Sequence, residues 1–426
     1  MNADTLRFLD RYVGIPLCWI FTVARRLAGT GRRSRSLPTP RKVLVIKLSE
    51  MGSTVLAYPA LAELKQRCPD VELFFLVFKN NVAIIHALNL TGSANIITVD
   101  IDSTSRLWSS GLGAIRRLLR ERIDTTIDMD FFSRFTMLFS FLICRGNRVG
   151  FHRYTTEGLY RGNLLTHRVM YSSHVHTSVA FMALTRTLFE TPEDEPHYRG
   201  AINPQELIYP KYFPPAEDVE SVKRKLEAAG MVGNDKSTVI LVNPNSSEIF
   251  PLRKWPLSYF TELCERLIIA LPSCFVVITG VASERADAHY ILNHVQDRRC
   301  INFTGKTTFR ELLALYSLAT LMVTNDSGPA HFASLTRLFT IVLFGPETPQ
   351  LYSPLGEHHK DLYSAFACSP CVSVYNAKKS PCQENLCLKS ITVDDVLSEI
   401  LAHVSSRSAR PHGSSQESHP DQEVGD

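Results

Sequence analysis

The chain has 426 residues, 45% of them hydrophobic and 21% charged, with ten cysteines and a net charge of only +4. That is the composition of a globular protein with two domains of roughly 150–200 residues, and it excludes a disulfide scaffold. The basic excess is terminal, with eight arginines against two acids in residues 1–41, rather than spread over a folded face as a nucleic-acid binder requires. With no cleavable signal peptide in view, a reducing cytoplasm is the expected compartment.

Tyr12 to Ala24 is almost unbroken apolar sequence, short of the roughly 20 residues that span a bilayer. Pro16 suits the first turn of a helix and Gly29 its end, with Arg25 and Arg26 at the negative end of the dipole. Arg32, Arg33 and Arg35 follow in a linker that ends at Pro38 and Pro40. Residues 1–41 are thus predicted to lie on a membrane surface, apolar side in the interface and arginines on anionic headgroups. The alternative is a helix packed on the protein itself, or a re-entrant signal-like segment.

From residue 42 strands and helices alternate. Lys42–Lys47, Val71–Val77, Ile96–Val99, Ile123–Met129 and Arg148–Phe151 read as strands. The stretches Thr54–Cys68, Asn81–Leu88, Leu107–Glu121, Ser133–Cys144 and His174–Phe189 read as helices. The pattern predicts a parallel, Rossmann-like domain over 42–203, with its ligand edge at loop Leu48–Ser53. Arg145, Arg148, Arg153 and Arg161, interleaved with Tyr154 and Tyr160, suit either an anionic or sugar-bearing acceptor or an ordinary solvated loop. Four prolines within 204–216 mark the inter-domain linker. Alternation then resumes over 217–404 with strands Thr238–Val242, Phe275–Thr279, Leu321–Val323 and Phe339–Phe344, so the fold class is α/β, two Rossmann-like domains around a cleft. The serine-rich tail 405–426 is too polar to order itself.

Two loops of the second half are built for phosphate. Asn245-Ser246-Ser247, followed by Arg253-Lys254, places hydroxyls and cations after a strand. Asn325-Asp326-Ser327-Gly328 with Pro329 is a strand, turn and helix start, the arrangement that turns free amides toward an anion. Taken alone it is also a common turn. Glu284, after Gly280, suits a ribose diol or a helix cap.

These stretches together resemble the lipopolysaccharide heptosyltransferases, glycosyltransferase family 9. The most specific are Val323-Thr-Asn-Asp-Ser-Gly-Pro-Ala-His-Phe-Ala-Ser334, Phe344-Gly-Pro-Glu-Thr-Pro349 and Ile46-Lys-Leu-Ser-Glu-Met-Gly-Ser-Thr-Val-Leu-Ala-Tyr-Pro-Ala-Leu61. The resemblance runs from about residue 42 to 400. It implies the two-domain glycosyltransferase B architecture and metal-independent, inverting transfer of a heptose from an ADP-linked donor, with no cofactor, to a lipid-linked or saccharide acceptor at the inner membrane face. By position it assigns Ser246, Ser247 and Arg253 to the donor phosphates, with Lys254 beside them. Glu284 falls to the ribose, and Asp326, Ser327, Gly328 and His331 to the pyrophosphate and sugar. Without the resemblance His331 reads as a core or capping histidine.

One departure matters. The family usually has aspartate, the acceptor base, straight after the glycine of the first loop; here that position is Ser53. A serine of ordinary pKa cannot take that proton unaided. Glu50, in the same loop, is the nearest candidate base, followed by Asp128 and Asp130; a subgroup with another base, or an inactive relative that only binds nucleotide sugar, is the alternative. A sugar-nucleotide 2-epimerase of the same fold is a further rival, disfavoured by the amino-terminal apolar segment. Cys368, Cys371, Cys382 and Cys387 have spacing loosely suited to Zn²⁺ but are read as structural.

Overall fold

The structure, a computed structural model, describes residues 3–28, 39–48, 50–190, 195–231, 237–246 and 250–408. The first lobe carries β1 (Lys42–Ile46), β2 (Glu72–Phe78), β3 (Ile96–Val99), β4 (Thr125–Asp128), β5 (Asn147–His152) and β6 (His167–Met170). The second carries β7 (Thr238–Asn243), β8 (Cys274–Ile278), β9 (Cys300–Asn302), β10 (Leu321–Asn325), β11 (Phe339–Phe344) and β12 (His359–Tyr363). Both sheets are parallel throughout, in the orders β3-β2-β1-β4-β5-β6 and β12-β11-β10-β7-β8-β9. Read from their own first strands, the two orders are the same Rossmann order.

The central strands are continuous apolar runs because helices cover both faces of each sheet. Val43, Leu44, Val45 and Ile46 of β1 are all fully buried, each contributing about 1.5–3 kcal/mol of transfer free energy. β6, β9 and β12 escape the sequence reading for a physical reason. Each is an edge strand paired on one side only, so His167-Arg168, Asn302 and His359-Lys360-Asp361 are tolerated where a central strand would need apolar residues. The predicted helix from Thr54 to Cys68 is in fact two, Met51–Leu56 and Tyr58–Arg67. Pro59 lacks the amide that would continue the first into the second.

One apolar cluster runs through both lobes, from Val45, Phe75 and Ile85 to Leu313, Phe332 and Leu335. The linker ends against the second lobe, where the Tyr212 amide donates to the Leu335 carbonyl at 2.8 Å. Helix Val393–Ser408 packs on helix Leu257–Ala270. The structureless tail predicted from Ser405 therefore begins too early, and its remainder, 409–426, lies outside the described residues.

At the amino terminus Ala3–Tyr12 and Gly14–Leu27 are both helical. The second packs on the first lobe along one side: Cys18 is fully buried, the Asn163 amide donates to Thr22 Oγ1 at 3.0 Å, and Arg25 Nη1 donates to the Asn163 carbonyl at 2.7 Å. Asp10 pairs with Arg134 at 3.1 Å. Phe8, Tyr12, Trp19 and Ile20 remain exposed. No helix among the described residues is long and apolar enough to cross a membrane; the linker arginines Arg32, Arg33 and Arg35 lie outside those residues.

Candidate functional site

The loops singled out in the sequence all follow carboxyl ends of strands, and the two lobes bring them face to face. After β1, the loop is fixed from below: Lys47, fully buried, pairs with Asp130 at 3.0 Å, and Asp130 also accepts the Leu48 amide at 2.8 Å. Asn81 Nδ2 donates to the Leu48 carbonyl at 2.7 Å. The loop then turns through Glu50 at φ 60°, in the left-handed region that non-glycine residues enter at a cost. Helix Met51–Leu56 runs directly against helix Gly328–Ala333 of the other lobe.

Glu50 is a third exposed at the cleft and bonds Lys378 at 2.5 Å. Burial would raise its pKa, but Lys378, Lys47 and Arg253 outweigh that and hold it at about 2. Ser53 is buried, and its Oγ donates to the Glu50 carbonyl at 3.0 Å; it braces the loop. The reserve bases are structural. Asp130 holds Lys47, while Asp128 is fully buried against Arg161 and accepts from Thr136 Oγ1 at 2.8 Å. Burial lifts Asp128 to about 6 despite that cation.

In the second lobe Asn325, fully buried, joins the two phosphate loops. Its Nδ2 donates to the Pro244 and Asn245 carbonyls at 3.1 and 3.2 Å, and its Oδ1 accepts the Trp255 amide at 2.9 Å. Arg253 meets Asp326 at 3.3 Å, both largely buried. Burial raises the Asp326 carboxyl, and the Arg253 guanidinium opposes that. Ser246 Oγ turns to the Phe250 carbonyl at 3.4 Å; Ser247 lies outside the described residues. Ser327 precedes the helix start and donates to the Asn325 carbonyl at 3.2 Å, and Gly328 opens the helix. Lys254 pairs with Asp287 rather than facing the cleft loops. Glu284 accepts the Val281 amide at 2.8 Å, a helix cap, while its Oε2 and Asn245 Nδ2 both occupy the space that a β-carbon at Gly280 would need.

His331 is buried between the lobes, and burial, with His176 and Arg253 adding, depresses its pKa to about 3, so the ring is neutral. Its Nδ1, Arg253 Nε, Asn245 Nδ2 and Glu347 Oε2 are buried without hydrogen-bond partners. Native interiors rarely leave such atoms unsatisfied, and here four come from the loops and the helix start that follow the strands of one sheet. Glu347, after β11, is almost fully buried, and burial raises its pKa to about 8, with Lys378 opposing and Asp326 adding.

The predicted acceptor arginines divide. Arg148 is buried and donates to the Leu164 and Cys144 carbonyls at 2.8 and 2.9 Å. Arg161 is buried on Asp128. Arg145 is exposed, but it and Arg148 flank the amino end of β5, opposite the ligand edge. Those three are corrected to other roles, because their guanidiniums satisfy the interior or lie on the wrong side of the sheet. Arg153, just after the carboxyl end of β5, stacks over Tyr160 at 5.3 Å. Cys368 and Cys382 are exposed, Cys371 is partly buried and Cys387 is buried; no group of three or more His, Cys, Asp or Glu among the described residues is arranged to hold a metal.

Sequence reasoning missed Asn325 as a brace, Glu347 and Lys378. Glu347 carries a local signal, a Gly-Pro turn directly after a strand. Lys378 carries none, since it reaches Glu50 across 328 residues of chain.

The profile of glycosyltransferase family 9 (heptosyltransferase) matches residues 113–380. Lipooligosaccharide heptosyltransferase 2 of Haemophilus influenzae is 25% identical over 244 residues, 56% of this chain and 65% of that protein. The Haemophilus ducreyi protein of the same name is 25% identical over 331 residues, 74% of this chain and 86% of its own length. Against the Campylobacter jejuni proteins of that name the matched stretch spans 55% and 54% of their length. Among solved structures, Escherichia coli ADP-heptose lps heptosyltransferase II superposes with a TM-score of 0.64 at 19% identity, over 86% of this chain and all of that one. E. coli heptosyltransferase WaaC with ADP gives 0.60 at 14%, over 85% and 99%. Two equivalent Rossmann sheets with their loops opposed are the fold of these enzymes, and the chain belongs to glycosyltransferase family 9.

Proposed function

We propose that this protein moves a heptose, or a related sugar, with inversion from an ADP-linked or similar nucleotide donor to a lipid-linked or other saccharide acceptor. The observation that carries this reading is the set of buried, unpartnered polar atoms on Asn245, Arg253, His331 and Glu347, which together suit a polyhydroxy anion. The acceptor hydroxyl attacks the anomeric carbon, its proton passes to Glu50, and the bond to the diphosphate breaks. Arg253 meets the charge that develops on the leaving group, so the route calls on no metal ion or cofactor. Arg153 and Tyr160 offer the acceptor a cation and a ring just after the carboxyl end of β5.

The acceptor is taken to arrive at the inner face of the cytoplasmic membrane. The exposed Phe8, Tyr12, Trp19 and Ile20 support a peripheral seat there, and Arg7 lies 5.6 Å from the ring of Phe250, which puts these helices beside the donor loops. Cosedimentation with phosphatidylglycerol vesicles, lost in a Trp19→Ser, Ile20→Ser double variant, is the expected result.

A thermal-shift screen of ADP-, GDP-, UDP- and dTDP-sugars, followed by nucleoside diphosphate release with a core-lipid acceptor, tests the reaction. Stabilisation by one nucleotide class and acceptor-dependent release are expected; no binding to any class overturns the reading. A second reading, a relative that binds the donor without turnover, is favoured by Ser53 standing in place of a carboxylate. Binding without turnover on any acceptor, unaffected by Glu50→Gln, would select it.

A further inference from the structure

Lys378 belongs to neither phosphate loop. It lies on the segment after β12, between Cys371 and Cys382, and this segment is wedged between the lobes. Tyr375 OH donates to the Tyr171 carbonyl of the first lobe at 3.3 Å, and its ring meets those of Tyr171 and Phe132. Within the segment, the Lys378 amide donates to the Ser373 carbonyl at 2.8 Å and Asn376 Nδ2 to the Cys371 carbonyl at 2.9 Å. Ala377 and Lys378 both hold φ of 55°, and so, at 60°, does the ion-pair partner Glu50. Backbone strain at both ends of one contact, in residues that are not glycine, marks a geometry that the surroundings enforce.

The ammonium group reaches into the cleft beside Arg253. Both cations face the ring of Phe250, Arg253 at 4.8 Å and Lys378 at 5.7 Å, and Lys378 also lies 5.2 Å from the ring of Tyr352. Its side chain is 14% exposed. Around these two cations stand three carboxyl groups, Glu50, Asp326 and Glu347. Arg253 holds Asp326 through Nη1 alone and has its Nε unpartnered, so it can meet an incoming diphosphate where it stands, whereas the Lys378 ammonium is turned to Glu50. An ammonium on a flexible four-carbon stem turns to a new partner more readily than a planar, buried guanidinium.

Given the donor site proposed above, we propose that Lys378 exchanges partners during the reaction, from Glu50 to the diphosphate of the bound donor. Glu50 is thereby released to accept the acceptor proton. The donor then switches on its own base: the proton leaves the acceptor hydroxyl for the Glu50 carboxylate, the acceptor oxygen bonds the anomeric carbon, and the electron pair of the broken bond leaves on the diphosphate, where Lys378 now sits. A base held ionised against an ammonium is a weak one, and the exchange removes that restraint only when there is a sugar to transfer.

The full-length protein and its Lys378→Met, Lys378→Arg and Glu50→Gln variants, titrated calorimetrically with ADP, GDP and UDP, test the exchange. For the nucleotide the wild type binds, Lys378→Met is expected to weaken affinity about 10–100-fold, with Lys378→Arg recovering most of it. Glu50→Gln is expected to tighten affinity, since the lysine no longer has to leave a carboxylate. A lysine serving only as a strut between lobes predicts the opposite for Glu50→Gln, a loss equal to that of Lys378→Met, and that result overturns the exchange. Unchanged affinity in Lys378→Met also overturns it while leaving the donor site intact. Absence of binding to any of the three nucleotides in the wild type overturns the donor site and the exchange together.

Discussion

The backbone of Gly52 is pressed against the imidazole of His331: a β-carbon at Gly52 would lie 2.6 Å from His331 Cδ2 and 3.3 Å from the α-carbon of Gly328. The first loop of one lobe and the helix start of the other therefore meet with no room for a methyl group. His331 cannot yield easily, because it is buried. Gly52→Ala is expected to prise the loops apart, costing about 1–3 kcal/mol of stability and lowering kcat/KM for the donor by about 100-fold through misplacement. Gly92→Ala, where the added carbon meets nothing within 4 Å, serves as the control and is expected to match the wild type. Steady-state kinetics and thermal melts on the two variants decide the matter.

Arg253 and Asp326 predict a difference between charge and shape. Arg253→Lys keeps the positive charge but loses the planar fork that meets Asp326 and a phosphate together. Its turnover is expected to fall about 10²–10³-fold while the fold persists. Arg253→Ala leaves Asp326 buried and unpaired and is expected to cost about 3–5 kcal/mol as well. Equal activity in Arg253→Lys and wild type would remove Arg253 from the donor site.

The two surviving roles for the arginines of the first lobe separate by assay. Arg161→Ala exposes the buried Asp128 without its cation and is expected to lower stability by about 3–5 kcal/mol in chemical denaturation. Arg153→Ala is expected to leave stability within about 0.5 kcal/mol and to raise KM for the acceptor alone.

Glu347 predicts a pH signature. Its carboxyl titrates at about 8 when folded, against an ordinary value of 4.5, because burial disfavours the charged form. A carboxyl whose pKa is raised by folding weakens the fold as pH climbs from 4.5 to 8, since the unfolded chain releases the proton first. Glu347→Gln removes that loss. Its melting temperature relative to wild type is expected to be level near pH 4, to rise between pH 4.5 and 8, and to stay constant above. A difference that does not vary with pH would show that the carboxyl titrates alike in the folded and unfolded chain, with no shift from burial.

The architecture was legible because parallel strands covered on both faces must be apolar along their length, as Val43–Ile46 and Leu321–Val323 are. The edge strands β6, β9 and β12 were not, since one-sided pairing relaxes that demand. In the site, Arg253, Asp326 and Glu50 were legible as polar residues in loops after strands. Which arginines of the first lobe are taken into the interior was not. Arg148 and Arg161 differ from Arg153 in what lies above them in space, a carbonyl cage and Asp128, and local composition does not encode that. Lys378 shows the same limit from the other side: nothing near it in sequence reveals the carboxylate it will meet.

The most direct measurement is a crystal structure with ADP, or with the nucleotide that calorimetry selects, bound at a molar ratio near one. The diphosphate is expected between the lobes, within hydrogen-bond distance of Arg253 and the backbone around Ser327 and Gly328, with Lys378 turned from Glu50 toward it. Nucleotide density elsewhere on the molecule, with the space between Glu50, Arg253 and His331 unfilled, would contradict the account.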